Sequence, residues 1–130
     1  YGTVDIAMGL GNDRIYMNDV GKVASADYEV GAGFLRSTPG GPNSFFAGIT
    51  YDNTVETLRL DTTNYRNEVT VRPSSSTAVS FFGGGGLNII ELTGDADDDG
   101  RQFFGEDGGV GSWRFSDGSR DIFFSDYFIG

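Results

Sequence analysis

The sequence predicts an all-β domain, a small antiparallel barrel or sandwich of about eight to ten short strands. Three observations carry this expectation. Apolar and polar residues alternate with period two along most of the chain, and helical periodicity is almost absent. Turn-forming residues recur at close spacing. The 21 glycines are spread over all 130 residues, as tight turns and curved strands require, rather than gathered into a linker.

The elements follow in order. Val4, Ile6, Met8 and Leu10 fall on one face, Gly11-Asn12-Asp13 supplies turn chemistry, and Ile15 and Met17 resume the pattern, so a hairpin is expected there. Ala24, Ala26, Tyr28, Val30, Ala32 and Phe34 then line one face of an extended run. Turn residues from Ser37 to Asn43 precede a strand-like run through Phe45, Ala47, Ile49 and Tyr51. Shorter strands are expected at 55–60, 68–72, 78–82, 87–92, 101–104, 112–115 and 121–129. No linker separates two units, so residues 1–130 are read as one domain. Gly83-Gly84-Gly85-Gly86 lacks the Lys-Ser or Lys-Thr pair of a phosphate loop and is read as a mobile turn.

Composition narrows function. The chain has no cysteine and no histidine, which removes disulfides, thiolate and imidazole metal ligands, and the usual general base. Nine basic residues stand against 19 acidic ones, a net charge of −10, which disfavours nucleic acid and anionic membranes as partners. No apolar run approaches the ~20 residues of a membrane-spanning helix. Tyr1 at the start suits a processed or excised chain, and the expected location is extracellular, at the cell surface or periplasmic.

Four Phe-Phe pairs stand at 45–46, 81–82, 103–104 and 123–124. Neighbouring strand residues point to opposite faces, so one ring of each pair fills the core and the other faces outward. Alternation assigns Phe46, Phe82, Phe104 and Phe123 to the outward set, a candidate surface for a protein partner or for self-association.

From Gly100 to Phe115 the chain reads Gly-Arg-Gln-Phe-Phe-Gly-Glu-Asp-Gly-Gly-Val-Gly-Ser-Trp-Arg-Phe. This resembles the glycine-aromatic signature of the transferrin-binding protein B-like surface lipoproteins of Gram-negative bacteria. Phe103, Phe104, Gly105, Val110, Gly111, Trp113 and Phe115 take the matching positions. Glu106 stands in place of the family's proline, Gly108 in place of its alanine and Ser112 in place of its second glycine, and the family's glutamate is missing. The resemblance implies an eight-stranded barrel that binds a protein or haem and performs no chemistry.

One segment carries a metal-site pattern. Residues 95–106 place Asp95, Asp97, Asp99 and Glu106 at positions 1, 3, 5 and 12 of a calcium-loop template, with Gly100 at position 6. Calcium takes six to eight oxygens, alternate aspartates converge on it, and glycine permits the sharp turn. If 101–105 is instead an extended strand, it spans about 16 Å and carries Glu106 away from the aspartates, leaving Asp98, carbonyls or water to complete the site. A solvated acidic turn without metal is the third reading.

The reading that follows is a secreted or cell-surface binding module with calcium as its expected ion. The alternatives are a subunit of an extracellular assembly using exposed phenylalanines, and a carbohydrate-active enzyme built on two carboxylates. With no histidine to activate a serine, no enzyme is expected.

Overall fold

The structure is a computed structural model that describes residues 3–6, 9–20, 26–38, 48–85, 88–93, 102–104, 109–115 and 118–129. Among the described residues there are thirteen strands: β1 (Thr3–Ile6), β2 (Asp13–Asn18), β3 (Ala26–Gly31), β4 (Phe34–Thr38), β5 (Gly48–Tyr51), β6 (Val55–Asp61) and β7 (Asn67–Val71) come first. β8 (Ala78–Phe82), β9 (Asn88–Leu92), β10 (Gln102–Phe104), β11 (Gly111–Arg114), β12 (Ile122–Ser125) and β13 (Phe128–Ile129) follow. They form a seven-stranded sheet, β1-β5-β4-β3-β7-β9-β13, and a six-stranded sheet, β10-β11-β12-β8-β6-β2.

The chain therefore crosses from one sheet to the other and back. β2–β3, β6–β7, β8–β9 and β12–β13 are four coils, each placing one strand in each sheet, stacked in the same order on both sides. The two central coils are in register at a spacing of 21 residues, with Asn67 beside Asn88. Hydrogen bonds carry the stacking around the corners: Asp19 N–H donates to Asp61 O (2.8 Å), Thr62 N–H to Phe82 O (3.0 Å) and Gly83 N–H to Ser125 O (2.9 Å). At the opposite corners Arg72 N–H reaches Val30 O and Thr93 N–H reaches Val71 O, both at 2.8 Å. The arrangement is a short two-sheet solenoid, in which each unit rests chiefly on its neighbours.

All-β architecture is as predicted, and of the two expected forms, barrel or sandwich, the two separate sheets rule out the closed barrel; the expected antiparallel pairing is found for only some neighbours. The sheets are open, the strands outnumber the expected eight to ten, and seven strand pairings are parallel against four antiparallel. Parallel neighbours need a long crossover, usually a helix. Here a strand of the opposite sheet supplies it, so parallel pairing arises without any helical pattern. For the same reason the hairpin expected at Gly11-Asn12-Asp13 does not form: β1 and β2 belong to different sheets. The run 121–129 likewise splits into β12 and β13, with Asp126 at φ 66° turning the corner.

Period-two alternation fixes what is buried. Leu58, Leu60, Val79, Phe81, Ile122 and Phe124 point inward from the six-stranded sheet, and Tyr28, Val30, Val69, Val71 and Ile90 from the seven-stranded one, in a single core cluster. Each such aliphatic or phenylalanine side chain contributes about 1.5–3 kcal/mol. Trp113 is 4% exposed and its ring lies 5.1 Å from that of Phe124.

One corner of the stack is polar and tightly closed. Asn67 and Asn88 are fully buried and bonded to each other, Asn67 Nδ2 to Asn88 Oδ1 at 2.9 Å. Asn67 Nδ2 also reaches the carbonyls of Thr63 and Tyr65, and its Oδ1 accepts from the Thr63 hydroxyl. Asn88 Nδ2 donates to the carbonyls of Gly84 and Asp126. A Cβ on Gly83 would lie 2.8 Å from Asp126 O, and one on Gly84 2.0 Å from Asn64 Oδ1. These two glycines are where coils pass too closely for a side chain, a packing role rather than the mobile turn expected of them.

Candidate functional site

The outer face of the six-stranded sheet carries a cluster of polar and aromatic side chains joined by hydrogen bonds and ring contacts. Alternation turns Tyr16, Arg59, Phe82 and Phe123 away from the core, because their neighbours Ile15, Leu58, Leu60, Phe81 and Phe124 are buried. Register then brings them together. Tyr16 stands opposite Arg59, Arg59 opposite Ser80, and Ser80 opposite Phe123; Asp61 stands opposite Phe82 in the next row.

The Arg59 guanidinium lies 4.1 Å from the Phe82 ring centroid and 4.9 Å from that of Tyr16. Its Nε and Nη2 donate to the two oxygens of Asp61, at 2.8 and 3.1 Å. The Tyr16 hydroxyl donates to the same carboxylate, and the Asn18 amide donates to Tyr16 Oη at 3.3 Å. Phe82 continues the row to Phe123, ring centroids 5.7 Å apart. Planar guanidinium suits both tasks, forked pairing with carboxylate and stacking on rings, in a way lysine does not.

The electrostatics match. Burial pushes the Asp61 carboxyl up, but hydrogen bonds from Arg59 and Tyr16, with the charge of Arg59, outweigh it and hold the group below the usual carboxylate range. The same hydrogen bond to Asp61 raises Tyr16 and Arg59 above their ordinary values. Asp61 is thus a fixed acceptor held by two donors, suited to orienting Arg59 rather than to moving a proton.

A second feature lies on the opposite sheet. Asp27, Glu29, Glu68, Thr70 and Tyr28 line a shallow groove of about 210 Å³. Glu29 is paired with Arg36 and Glu68 with Arg66, at 2.9 and 2.8 Å. Among the described residues no group of three or more carboxylates is placed to hold a metal ion.

Of the outward phenylalanines named from sequence, Phe82 and Phe123 are on the outer face and in contact. Phe104 occupies the strand position opposite Ser112 in β10. Phe46 and the calcium-loop residues Asp95, Asp97, Asp99 and Glu106 lie outside the described residues. Tyr16, Arg59 and Asp61 were not singled out from sequence. Alternation alone puts Arg59 on an outer face, but Tyr16 is 43 residues from it, and only the pairing of β2 with β6 joins them. Against protein-family models, curated proteins and solved structures, the chain has no match.

Proposed function

We propose that the chain is a secreted or cell-surface binding module that performs no chemistry and engages a protein partner through the outer face of its six-stranded sheet. The observation that supports this is Arg59, stacked between Tyr16 and Phe82 and clamped by Asp61. Arginine and aromatic residues supply most binding energy at protein interfaces. Fixing a long side chain beforehand spares about 0.5–1.5 kcal/mol of ordering on association. The acidic loop at 95–106 is proposed as a structural calcium site on its ligand pattern alone.

The test is saturable binding of the labelled chain to intact cells of its source and to their isolated surface proteins. Joint Arg59→Ala and Phe123→Ser substitution is expected to weaken binding more than tenfold while the thermal melt stays cooperative. Equal binding by the variant places the contact elsewhere, and breakdown of an offered polysaccharide favours the enzyme alternative.

A further inference from the structure

The donors and acceptors of the Arg59 cluster are unevenly spent. Asp61 is 8% exposed, and its two oxygens are taken by Arg59 and the Tyr16 hydroxyl. Tyr16 Oη accepts from the Asn18 amide, whose own Oδ1 accepts from Val20 N–H at 3.0 Å. The guanidinium, by contrast, gives Asp61 only Nε and Nη2. Its Nη1 group has no partner among the described residues, and the side chain is 43% exposed. What this cluster offers a ligand is therefore N–H donors set between aromatic rings, with its own acceptors used up.

Resting on the reading of this face as the binding surface, we propose that its ligand is a proline-rich segment of the partner protein, held in the polyproline II conformation. Proline has a carbonyl acceptor and no N–H, so it complements a surface of donors and rings. Aromatic-lined surfaces recognise such segments because the polyproline helix is already extended before it binds. Charge points the same way. Asp61 neutralises Arg59, and the chain's net charge of −10 repels a carboxylate-rich partner, whereas a proline-rich segment needs no charge.

The spacing fits. β2 and β8 flank β6, so Tyr16 and Phe82 stand two strand spacings apart across the sheet, about 9.6 Å. The contacts of the Arg59 guanidinium with both rings, at 4.9 and 4.1 Å, hold the ring separation within that length. One turn of polyproline II, three residues, advances about 9.3 Å. A segment laid across the strands therefore rests prolines i and i+3 on Tyr16 and Phe82. Arg59 lies beneath the turn between them, where its Nη1 group meets an intervening carbonyl. Phe123, its ring 5.7 Å from that of Phe82, extends the same row by one more strand.

Fluorescence anisotropy tests this with a labelled peptide of repeated Pro-Pro-Ala, about four polyproline turns long. Two labelled peptides of equal length are the controls, one with every proline replaced by alanine and one of alternating glutamate and alanine. The proline peptide is expected to saturate, and both controls to bind about tenfold more weakly or worse. Arg59→Lys keeps the charge but loses the planar fork, and Phe82→Leu keeps an apolar side chain but loses the ring. Each is expected to weaken binding of the proline peptide about tenfold. A cooperative thermal melt checks folding, and Phe123→Leu replaces either variant if it unfolds. Absence of saturable binding by the proline peptide overturns the proposal, as does equal binding of the alanine peptide or unchanged binding by the variants. Tighter binding of the glutamate peptide overturns it in favour of an acidic partner. If the proline peptide fails while the chain still binds cells through this face, the binding-module reading stands and only the ligand class is wrong.

Discussion

At Asp61 two opposing effects meet: burial raises the carboxyl's pKa, and hydrogen bonds from Arg59 and Tyr16 lower it further than burial raises it. A carboxyl held below its unfolded value, near 3.9, contributes stability above that pH and loses it as pH falls through the folded value. Asp61→Asn is expected to cost about 1–2 kcal/mol at pH 7. In urea melts at a series of pH values, the gap between wild type and variant should narrow below about pH 4. Asn67 is a different case, neutral and fully buried. Asn67→Leu removes partners from the Thr63 hydroxyl, two carbonyls and Asn88, each costing about 1–3 kcal/mol if left unmet. A loss on the order of 3 kcal/mol in urea melts is the expected outcome, with Asn88 Oδ1 and Thr63 O orphaned inside the stack.

Corners decide how closely coils approach. The Gly83 backbone passes within reach of the Asp126 carbonyl, a fixed main-chain atom, whereas a Cβ on Gly85 would meet nothing nearer than Asn64 O at 3.5 Å. Gly83→Ala is therefore expected to destabilise by about 1–3 kcal/mol and Gly85→Ala to stay near neutral, compared in parallel thermal melts. The loop at 95–106 makes a separate prediction. Asp95, Asp97, Asp98 and Asp99 put four like charges within five residues, and a cation would relieve their repulsion. At a hundredfold excess over the dissociation constant, binding adds about 2.7 kcal/mol, on the order of 10 °C in melting temperature. Melts in chelator and in ~10 mM calcium should show that rise. A rise lost in Asp97→Asn but kept in Glu106→Gln would mean a site without the glutamate.

Over the whole molecule, stability should grade along the stack. Among the described residues β6–β7 and β8–β9 have a coil on either side, whereas β2 and β13 are each paired on one side. Opening an end coil breaks one ladder; opening a central coil breaks two. Amide hydrogen exchange, measured at a concentration where the chain is monomeric, should therefore protect Leu58, Val69, Val79 and Ile90 most, and β2 and β13 least. Equal protection throughout would mean that the coils open as one unit.

Short-range physics was legible without any structure. Period two identified strands and separated buried Phe81 and Phe124 from outer Phe82 and Phe123, because side-chain direction in a strand is set by position alone. The burial of Trp113 fits the same picture, because aromatic residues on strands dominate small β cores. Which strand pairs with which is a long-range matter: the 21-residue repeat keeps the in-and-out pattern and the Asn67–Asn88 match but little other identity. Composition has no signal for a crossover made by a strand of the facing sheet, so antiparallel pairing was the natural reading of a chain without helices. The Tyr16–Arg59–Asp61 cluster had the same obstacle, since its members are adjacent only once β2 lies beside β6. Sequence alone determined that this chain is all-β and, within strands such as β8 and β12, which side chains face the core; the tertiary structure decided where strands break, as at 32–33, where Ala32 is exposed and Leu35 takes the buried place, and it decided the stacking order, because pairing energy depends on neighbours that no local pattern names.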